Sequence, residues 1–348
     1  MITIQVRNVH QALPEGMYYL RHSGLERSSR AGRVLVAPGP VMTVYSHPTE
    51  RVLFWPQRDA NPFFHLMEAL WMLAGRNDLA WLERFNSKMR EFSDNGVTLH
   101  GAYGYRWRYH FGRDQLNQVV ELLRLTPNSR RAVIQMWDCN IDFCELEKLG
   151  SLDTPCNDLV FLEIRDGCLN QTVLCRSNDI IWGAYGTNAV HFSVLQEYLA
   201  SRIGVRVGIF YQFSNNYHAY EDIFRKNEEL VDKAASPYRR DRGRCPYTRG
   251  EVYTIPIVSS DQRFEEELVH FMGHEGLGER YSSEFLQRSS SVRESYIAWK
   301  NWRDPVRAIR ILRDGCPTDG GKQWDFSLAC IEWLERRKEQ RLTKKADQ

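Results

Sequence analysis

The chain has 348 residues, with 46 Lys and Arg against 44 Asp and Glu, a formal net charge of +2. Hydrophobic residues make up 43% and charged residues 26%, enough for a sizeable core in one large or two ordinary domains, which excludes wholesale disorder and fibrous classes. The near-balanced charge argues against bulk electrostatic capture of nucleic acid, and no apolar run reaches the roughly 18 residues of a membrane span.

Residues 2–6 alternate weakly, and Val9–Leu20 reads as a short helix. Ser28–Pro40, rich in Arg, Ser, Gly and Pro, reads as a loop. Val41–Val44 and Arg51–Trp55 read as short strands. Phe63–Ala74 is the first clear helix, with Leu66, Leu70 and Leu73 on one stripe and Gly75 placed to end it. Glu68 inside this apolar helix sits at its edge, or needs a hydrogen-bonded role if buried. Asp78–Phe92 reads as a second helix, and the glycine- and aromatic-rich Leu99–Trp107 as a loop lining something.

Leu116–Leu125 is helical until Pro127 and Asn128 break it, and Ala132–Trp137 reads as a buried strand. Val160–Ile164 and Leu169–Leu174 are neighbouring strands joined at Asp166-Gly167. Ala189–Ile203 is a helix ending near Gly204, and Val205–Phe213 a further strand. Ala234–Gly250 reads as a basic, turn-rich surface excursion. Phe264–His270, Val292–Leu312 (interrupted at Pro305) and Phe326–Arg337 are helical, and the charged last stretch reads as frayed. Helices and strands interleave without a βαβ rhythm, which predicts an α+β fold.

Eight cysteines are scattered without a CxxC pair, so neither a disulfide framework nor a zinc knuckle is expected, and no metal. The N-terminus lacks a basic region followed by an apolar stretch and reads as cytoplasmic. Walker, Rossmann and HExxH patterns are absent. Three segments carry candidate chemistry. Cys156, directly before a strand, is a core thiol or a nucleophile at a cavity edge. Arg176 and Ser177, at a strand end, form a sound phosphate pair, and Arg176 would favour a Cys156 thiolate if the two meet. His218, past another strand, is structural or functional. His191 reads as packing or capping rather than catalysis.

Taken together, the order of these motifs resembles thymidylate synthase and its close relatives, the pyrimidine nucleotide hydroxymethylases. The family helix E-L-L-W-F-L-x-G corresponds to Glu68-Ala69-Leu70-Trp71-Met72-Leu73-Ala74-Gly75. The Y-G-x-Q-W-R loop corresponds to Tyr103-Gly104-Tyr105-Arg106-Trp107-Arg108, and S-R-R to Ser129-Arg130-Arg131. Pro155-Cys156, Arg176-Ser177-Asn178-Asp179 and His218-Ala219-Tyr220 follow in the family order. The resemblance covers roughly residues 25–225 and implies a mixed sheet packed with helices and paired sheet to sheet in a homodimer. A catalytic domain over 1–260 would then precede a helical C-terminal extension, 261–348.

The resemblance further implies that Cys156 attacks C6 of a pyrimidine nucleoside monophosphate. C5 then takes a one-carbon unit from 5,10-methylenetetrahydrofolate. Arg30, Arg176 and Ser177 would hold the phosphate, with Arg130 and Arg131 reaching across from a second subunit into shared active sites. His218 and Tyr220 would hold the sugar. Glu68 would order water and protons around the base, Tyr103 would line the site near C5, and Asp179 and Arg58 would meet folate. Asn188 is the best match for the base-reading amide; it suits uracil without excluding cytosine, because an amide can flip. Asn157 stands where synthases carry His, and the segment after Arg176-Ser177-Asn178-Asp179 resembles the phage hydroxymethylases. Hydroxymethylation is therefore the expected reaction, with reductive methylation or a repurposed nucleic-acid-binding homologue as alternatives.

Overall fold

The computed structural model describes residues 1–29, 32–143, 152–234, 245–258, 263–274 and 280–346. Strands β1 (Ile2–Val6), β2 (Leu25–Ser29), β3 (Gly32–Val36), β4 (Val41–Tyr45), β5 (Val133–Gln135), β6 (Asn157–Arg165), β7 (Cys168–Asp179) and β8 (Arg206–Tyr220) form one sheet. Its path is β1-β4-β8-β7-β6-β5, with the β2–β3 hairpin joined to the end of β8. The β1–β4 and β7–β8 pairs are parallel and the others antiparallel, so the sheet is mixed.

Side chains alternate between the two faces of a strand, and the register sorts them into rows. One row, Ile134-Val160-Val173-Gln212-Thr43-Ile4, is buried throughout. The next rows, Val133-Phe161-Thr172-Tyr211-Val44-Gln5 and Gln135-Leu159-Leu174-Phe213-Met42-Thr3, are half-buried or exposed. The sheet thus packs one face on helices and leaves a largely apolar face without a helical cover among the described residues.

In α1 (Val9–Ser23) the Asn8 side chain caps the first turn, while α2 (Pro62–Leu73) is buried at every position, capped by Asn61 with Pro62 in its first turn. Helix α3 (Gln115–Leu125) follows, capped by Asp114. Helix α4 (Asn188–Ile203) packs beside α2 and ends at Gly204, whose φ of +89 suits glycine. The C-terminal helices are α5 (Phe264–Gly273), α6 (Glu284–Trp302), α7 (Pro305–Gly315) and α8 (Asp325–Ala346).

These last helices share the core of the rest. Trp333 of α8 meets Phe63 of α2 edge-on at 5.6 Å between ring centroids. The Tyr296 hydroxyl donates to the Phe85 carbonyl at 2.7 Å. Gln323–Trp324 pair in parallel with Val252–Tyr253.

Several expectations are corrected. Arg51–Trp55 is not a strand, because its amides go to distant side chains: Val52 N–H donates to the Tyr247 hydroxyl at 3.1 Å and Phe54 N–H to His10 Nδ1 at 3.2 Å. Ser28–Pro40 is not a plain loop but contributes to the β2–β3 hairpin. The expected helix over Asp78–Phe92 is two short pieces, Leu79–Glu83 and a 3-10 turn at Ser87–Phe92, separated where Asn86 caps the second. The expected loop Leu99–Trp107 turns helical at Tyr103 and runs on through a π turn at Arg106–His110. The charged tail stays helical to Ala346, anchored where Arg337 grips Asp59 with two bonds of 2.6 Å. Most of the basic excursion, 235–244, lies outside the described residues, as does Arg30.

Candidate active site

The parallel β7–β8 pairing brings two motifs into one place. Ser177 lies opposite Asn216 and Asp179 opposite His218, so the ends of Arg176-Ser177-Asn178-Asp179 and His218-Ala219-Tyr220 adjoin. Strand β6 starts beside them, with Asn157 opposite Cys175, which sets Cys156 at the same end of the sheet.

Cys156 is half-buried, and the Arg176 backbone N–H donates to its carbonyl at 2.8 Å. The Arg176 guanidinium is fixed by bonds to the Pro155 carbonyl (2.8 Å) and the Thr154 carbonyl (3.2 Å). Its Nη2 lies 3.9 Å from Cys156 Sγ, a positive charge placed to stabilise negative charge on sulfur. The neighbouring Cys175 has the opposite setting. It is buried, and burial pushes its thiol pKa well up. Of the two, Cys156 is the one suited to nucleophilic chemistry.

Tyr103 closes the other side of Cys156. Its hydroxyl accepts from the backbone N–H groups of both Cys156 and Asn157, each at 3.2 Å. Both lone pairs are then used, which leaves the phenolic proton as the group's remaining capacity. Burial raises the Tyr103 pKa well above its ordinary value, so the neutral phenol is the working form. Gly104 lets this segment lie against α2, since a Cβ there would run into the Met72 carbonyl.

A line of amides runs inward from Cys156. Asn157 Nδ2 donates to Asn188 Oδ1 at 3.2 Å. Asn188 Nδ2 donates to Asn178 Oδ1 at 3.1 Å, and Asn178 Nδ2 to Ser214 Oγ at 2.9 Å. All four residues are buried. In this series the Asn188 oxygen faces Asn157 and its nitrogen faces Asn178. Gly183 makes room for it, because a Cβ there would stand 2.8 Å from Asn178 Oδ1.

Glu68 is buried on α2, with Oε2 3.0 Å from His191 Nε2 on α4. His218 is buried, with Nδ1 3.3 Å from the Asn216 carbonyl and its ring edge-on to Tyr220 at 5.6 Å. Asp179 holds the neighbouring backbone. Its Oδ1 accepts from the Ile181 and Trp182 N–H groups at 2.9 and 2.6 Å, and its Oδ2 from Tyr220 N–H at 3.3 Å. Burial still raises its pKa. Arg58 donates to the Ile181 carbonyl at 2.9 Å and lies 4.9 Å from the centroid of the half-exposed Trp182 ring. Arg130 and Arg131 are exposed at the start of β5, away from Cys156 within the single chain.

The structure therefore brings Cys156, Tyr103, Asn157, Arg176, Ser177, Asn188, Asp179, His218 and Tyr220 to one end of the sheet. Glu68 and Arg58 flank it on elements packed against that end. Sequence reasoning missed Trp182, whose ring gives the rim an aromatic plane, and gave no role to Asn178. It also set His191 aside, although the three-residue step from Asn188 puts both on one helical face. Arg106 of the Tyr103 segment is fully buried and paired with Asp142 at 2.8 Å, a structural role. Among the described residues, no group of three or more His, Cys, Asp or Glu side chains could hold a metal ion. No helix there is long and apolar enough to cross a membrane.

Residues 52–240 match the family profile described as thymidylate synthase. The chain is 45% identical over 342 residues, 97% of its length and 95% of the relative's, to a deoxyuridylate hydroxymethyltransferase of Pseudomonas phage M6. A protein of the same name from Bacillus phage SP01 is 37% identical over 195 residues, 53% of this chain and 50% of its own. A putative thymidylate synthase of Methanothermobacter thermautotrophicus is 40% identical over 150 residues, 43% of this chain and 64% of its own.

Proposed function

The chain belongs to the thymidylate synthase family, and we propose that it adds a hydroxymethyl group to C5 of deoxyuridylate, with 5,10-methylenetetrahydrofolate as carbon donor. The observation that carries this reading is the match to the Pseudomonas phage protein along 97% of the chain, through the C-terminal helices that lie beyond the matched family region.

Cys156 Sγ is the nucleophile toward C6, with Arg176 3.9 Å away to steady the thiolate. Arg176 and Ser177 hold the 5′-phosphate, and His218 and Tyr220 the sugar hydroxyl. Arg30, which lies outside the described residues, is proposed for the same phosphate set on the family resemblance alone. Asn188 reads the base. Its oxygen, already turned toward Asn157, accepts from N3–H, and its nitrogen donates to O4, which is the uracil pattern. Cytosine reverses both requirements and would need the amide to turn over against Asn157 and Asn178.

The rim residues fit a folate. The half-exposed Trp182 offers a flat face for the pterin ring system, and Arg58 beneath it a fixed cation for an anionic tail. Asp179 stands at the base of that turn. When bound, the donor supplies a carbon at the formaldehyde oxidation level. Tyr103 and Glu68 manage the proton leaving C5.

The assembly is a two-fold dimer. The uncovered apolar sheet rows, with Phe161, Leu174, Tyr211 and Phe213 at their middle, are the surface for a second copy. Arg130 and Arg131 then serve the phosphate of the partner's site. Within the C-terminal extension, the described helices α5 to α8 form a layer continuous with the catalytic core.

A panel of deoxyuridylate, deoxycytidylate, uridylate and cytidylate, each with the donor, tests the assignment. Deoxyuridylate should be the one consumed efficiently. Preference for a cytosine nucleotide, or no turnover, would overturn it.

A further inference from the structure

Helices α2 and α4 face each other with paired polar positions one turn apart: His65 and Glu68 on α2, Asn188 and His191 on α4. All four are buried. His191 is 4% exposed and Glu68 9%, and their nearest atoms, Nε2 and Oε2, lie 3.0 Å apart. The two are close without being aligned as a hydrogen bond. Glu68 Oε2, His191 Nδ1 and His191 Nε2 have no hydrogen-bond partner among the described residues. Of these, Oε2 and Nε2 stand side by side, and buried polar atoms in that state suit a small polar species held between them.

The surroundings say where that spot lies. On one side, Asn188 leads through Asn157 to Cys156. Phe192, next to His191, packs against Tyr103 at 6.0 Å between centroids. On the other side, His65 feels both His191 and Arg58, and burial holds it neutral with its pKa pushed down to about 3. The Glu68–His191 pair thus sits between the base-reading end and the rim cation. On the reading above, Cys156 bonds C6 and Asn188 meets O4, so C5, the ring atom between C6 and C4, falls on the side that borders this pair.

We propose that His191, together with Glu68, holds and deprotonates the water that adds to the one-carbon unit on C5. This rests on the hydroxymethylation reading above. The step balances without an oxidant or reductant. The water oxygen bonds to the methylene carbon on C5, and one of its protons passes to the His191–Glu68 pair. The C5-to-methylene π electrons move onto the C4 carbonyl as an enolate. The enolate then restores the C5–C6 double bond, breaks the C6–S bond and returns Cys156 as thiolate.

The test separates this step from the earlier ones. Tritium release from deoxyuridylate labelled at C5 reports attack by Cys156 and loss of the C5 proton. Hydroxymethyl product reports water addition, and added 2-mercaptoethanol intercepts the methylene as a thioether. In His191→Ala, tritium release should persist while hydroxymethyl product falls roughly a hundredfold, with thioether taking its place. Trapping by 5-fluorodeoxyuridylate plus the donor should be retained. Should His191→Ala lose trapping, His191→Gln carries the test, since it keeps polarity but takes no proton. Parallel loss of tritium release and product, unchanged product, or loss of trapping in both variants overturns the assignment. A wild-type protein that makes no hydroxymethyl nucleotide instead overturns the function itself.

Discussion

The Asn157 side chain donates to Asn188 Oδ1 at 3.2 Å, so the residue after Cys156 is in direct contact with the amide proposed to read the base. Asn188 in turn donates to Asn178 at 3.1 Å. The three amides are linked in one series, so Asn188 turns over only together with its neighbours. In this sense Asn188 presents the uracil pattern, its oxygen to N3–H and its nitrogen to O4.

Asn178→Ala removes the acceptor that holds the Asn188 nitrogen. One lost buried hydrogen bond is worth about 1 kcal/mol. The expected result is a drop of roughly fivefold to tenfold in kcat/KM for deoxyuridylate, and a rise in the relative use of deoxycytidylate. Steady-state rates on both nucleotides check it. An unchanged ratio would remove Asn178 from base selection.

The two neighbouring cysteines should separate cleanly. Cys156→Ala should abolish the covalent adduct with 5-fluorodeoxyuridylate and the donor, with little change in thermal stability, since Cys156 is only half-buried. Cys175→Ala, at a buried site whose thiol is held protonated, should keep the adduct and lose some stability. Intact-mass spectra read both outcomes. An adduct surviving Cys156→Ala would discard the nucleophile.

Shared sites predict complementation. Arg130→Ala with Arg131→Ala, and Cys156→Ala, should each be inactive alone. Mixed and allowed to exchange subunits in equal amounts, they should recover roughly a quarter of wild-type activity, because half the dimers then hold one intact site. Phe161→Glu, on the open sheet face, should shift the sedimentation profile toward monomer. A monomeric wild type, or no recovery on mixing, would contradict the shared-site arrangement.

The first residue of α8 predicts a pH dependence. Asp325 is buried, with the Tyr247 hydroxyl donating to Oδ2 and Phe326 N–H to Oδ1, each at 2.8 Å. Burial pushes its pKa up to about 7, against roughly 4 in the unfolded chain. The folded state therefore holds the proton more tightly. The resulting stabilisation is full below about pH 4 and is lost as pH rises through about 7, at up to about 1.4 kcal/mol per pH unit. Asp325→Asn should flatten this slope in thermal melts taken between about pH 5 and pH 8. Equal slopes in both proteins would rule it out.

Local signals in the chain marked α2, whose apolar stripe ends at Gly75, and α4, which stops at Gly204. They also marked the strands carrying Arg176 and His218, because alternation and turn residues act over short distances. Arg51–Trp55 misled because a strand-like composition does not reveal that Tyr247 and His10, remote in sequence, take its amides. The tail misled because charge alone hides the grip of Arg337 on Asp59 across the fold. Motif order placed Cys156, Asn188 and Glu68 as candidates. His191 stayed hidden because its meaning comes from Glu68 on another helix, a contact made only when α2 and α4 pack.

The fate of the transferred carbon tests the proposed reaction most directly. Deoxyuridylate and 5,10-methylenetetrahydrofolate would be incubated with the protein, and the nucleotide product weighed by mass spectrometry. Hydroxymethylation predicts a gain of one CH2O unit, with tetrahydrofolate released. A gain of one CH2 unit with dihydrofolate released would contradict it, and would make the site a reductive methylating one despite Asn157 and His191.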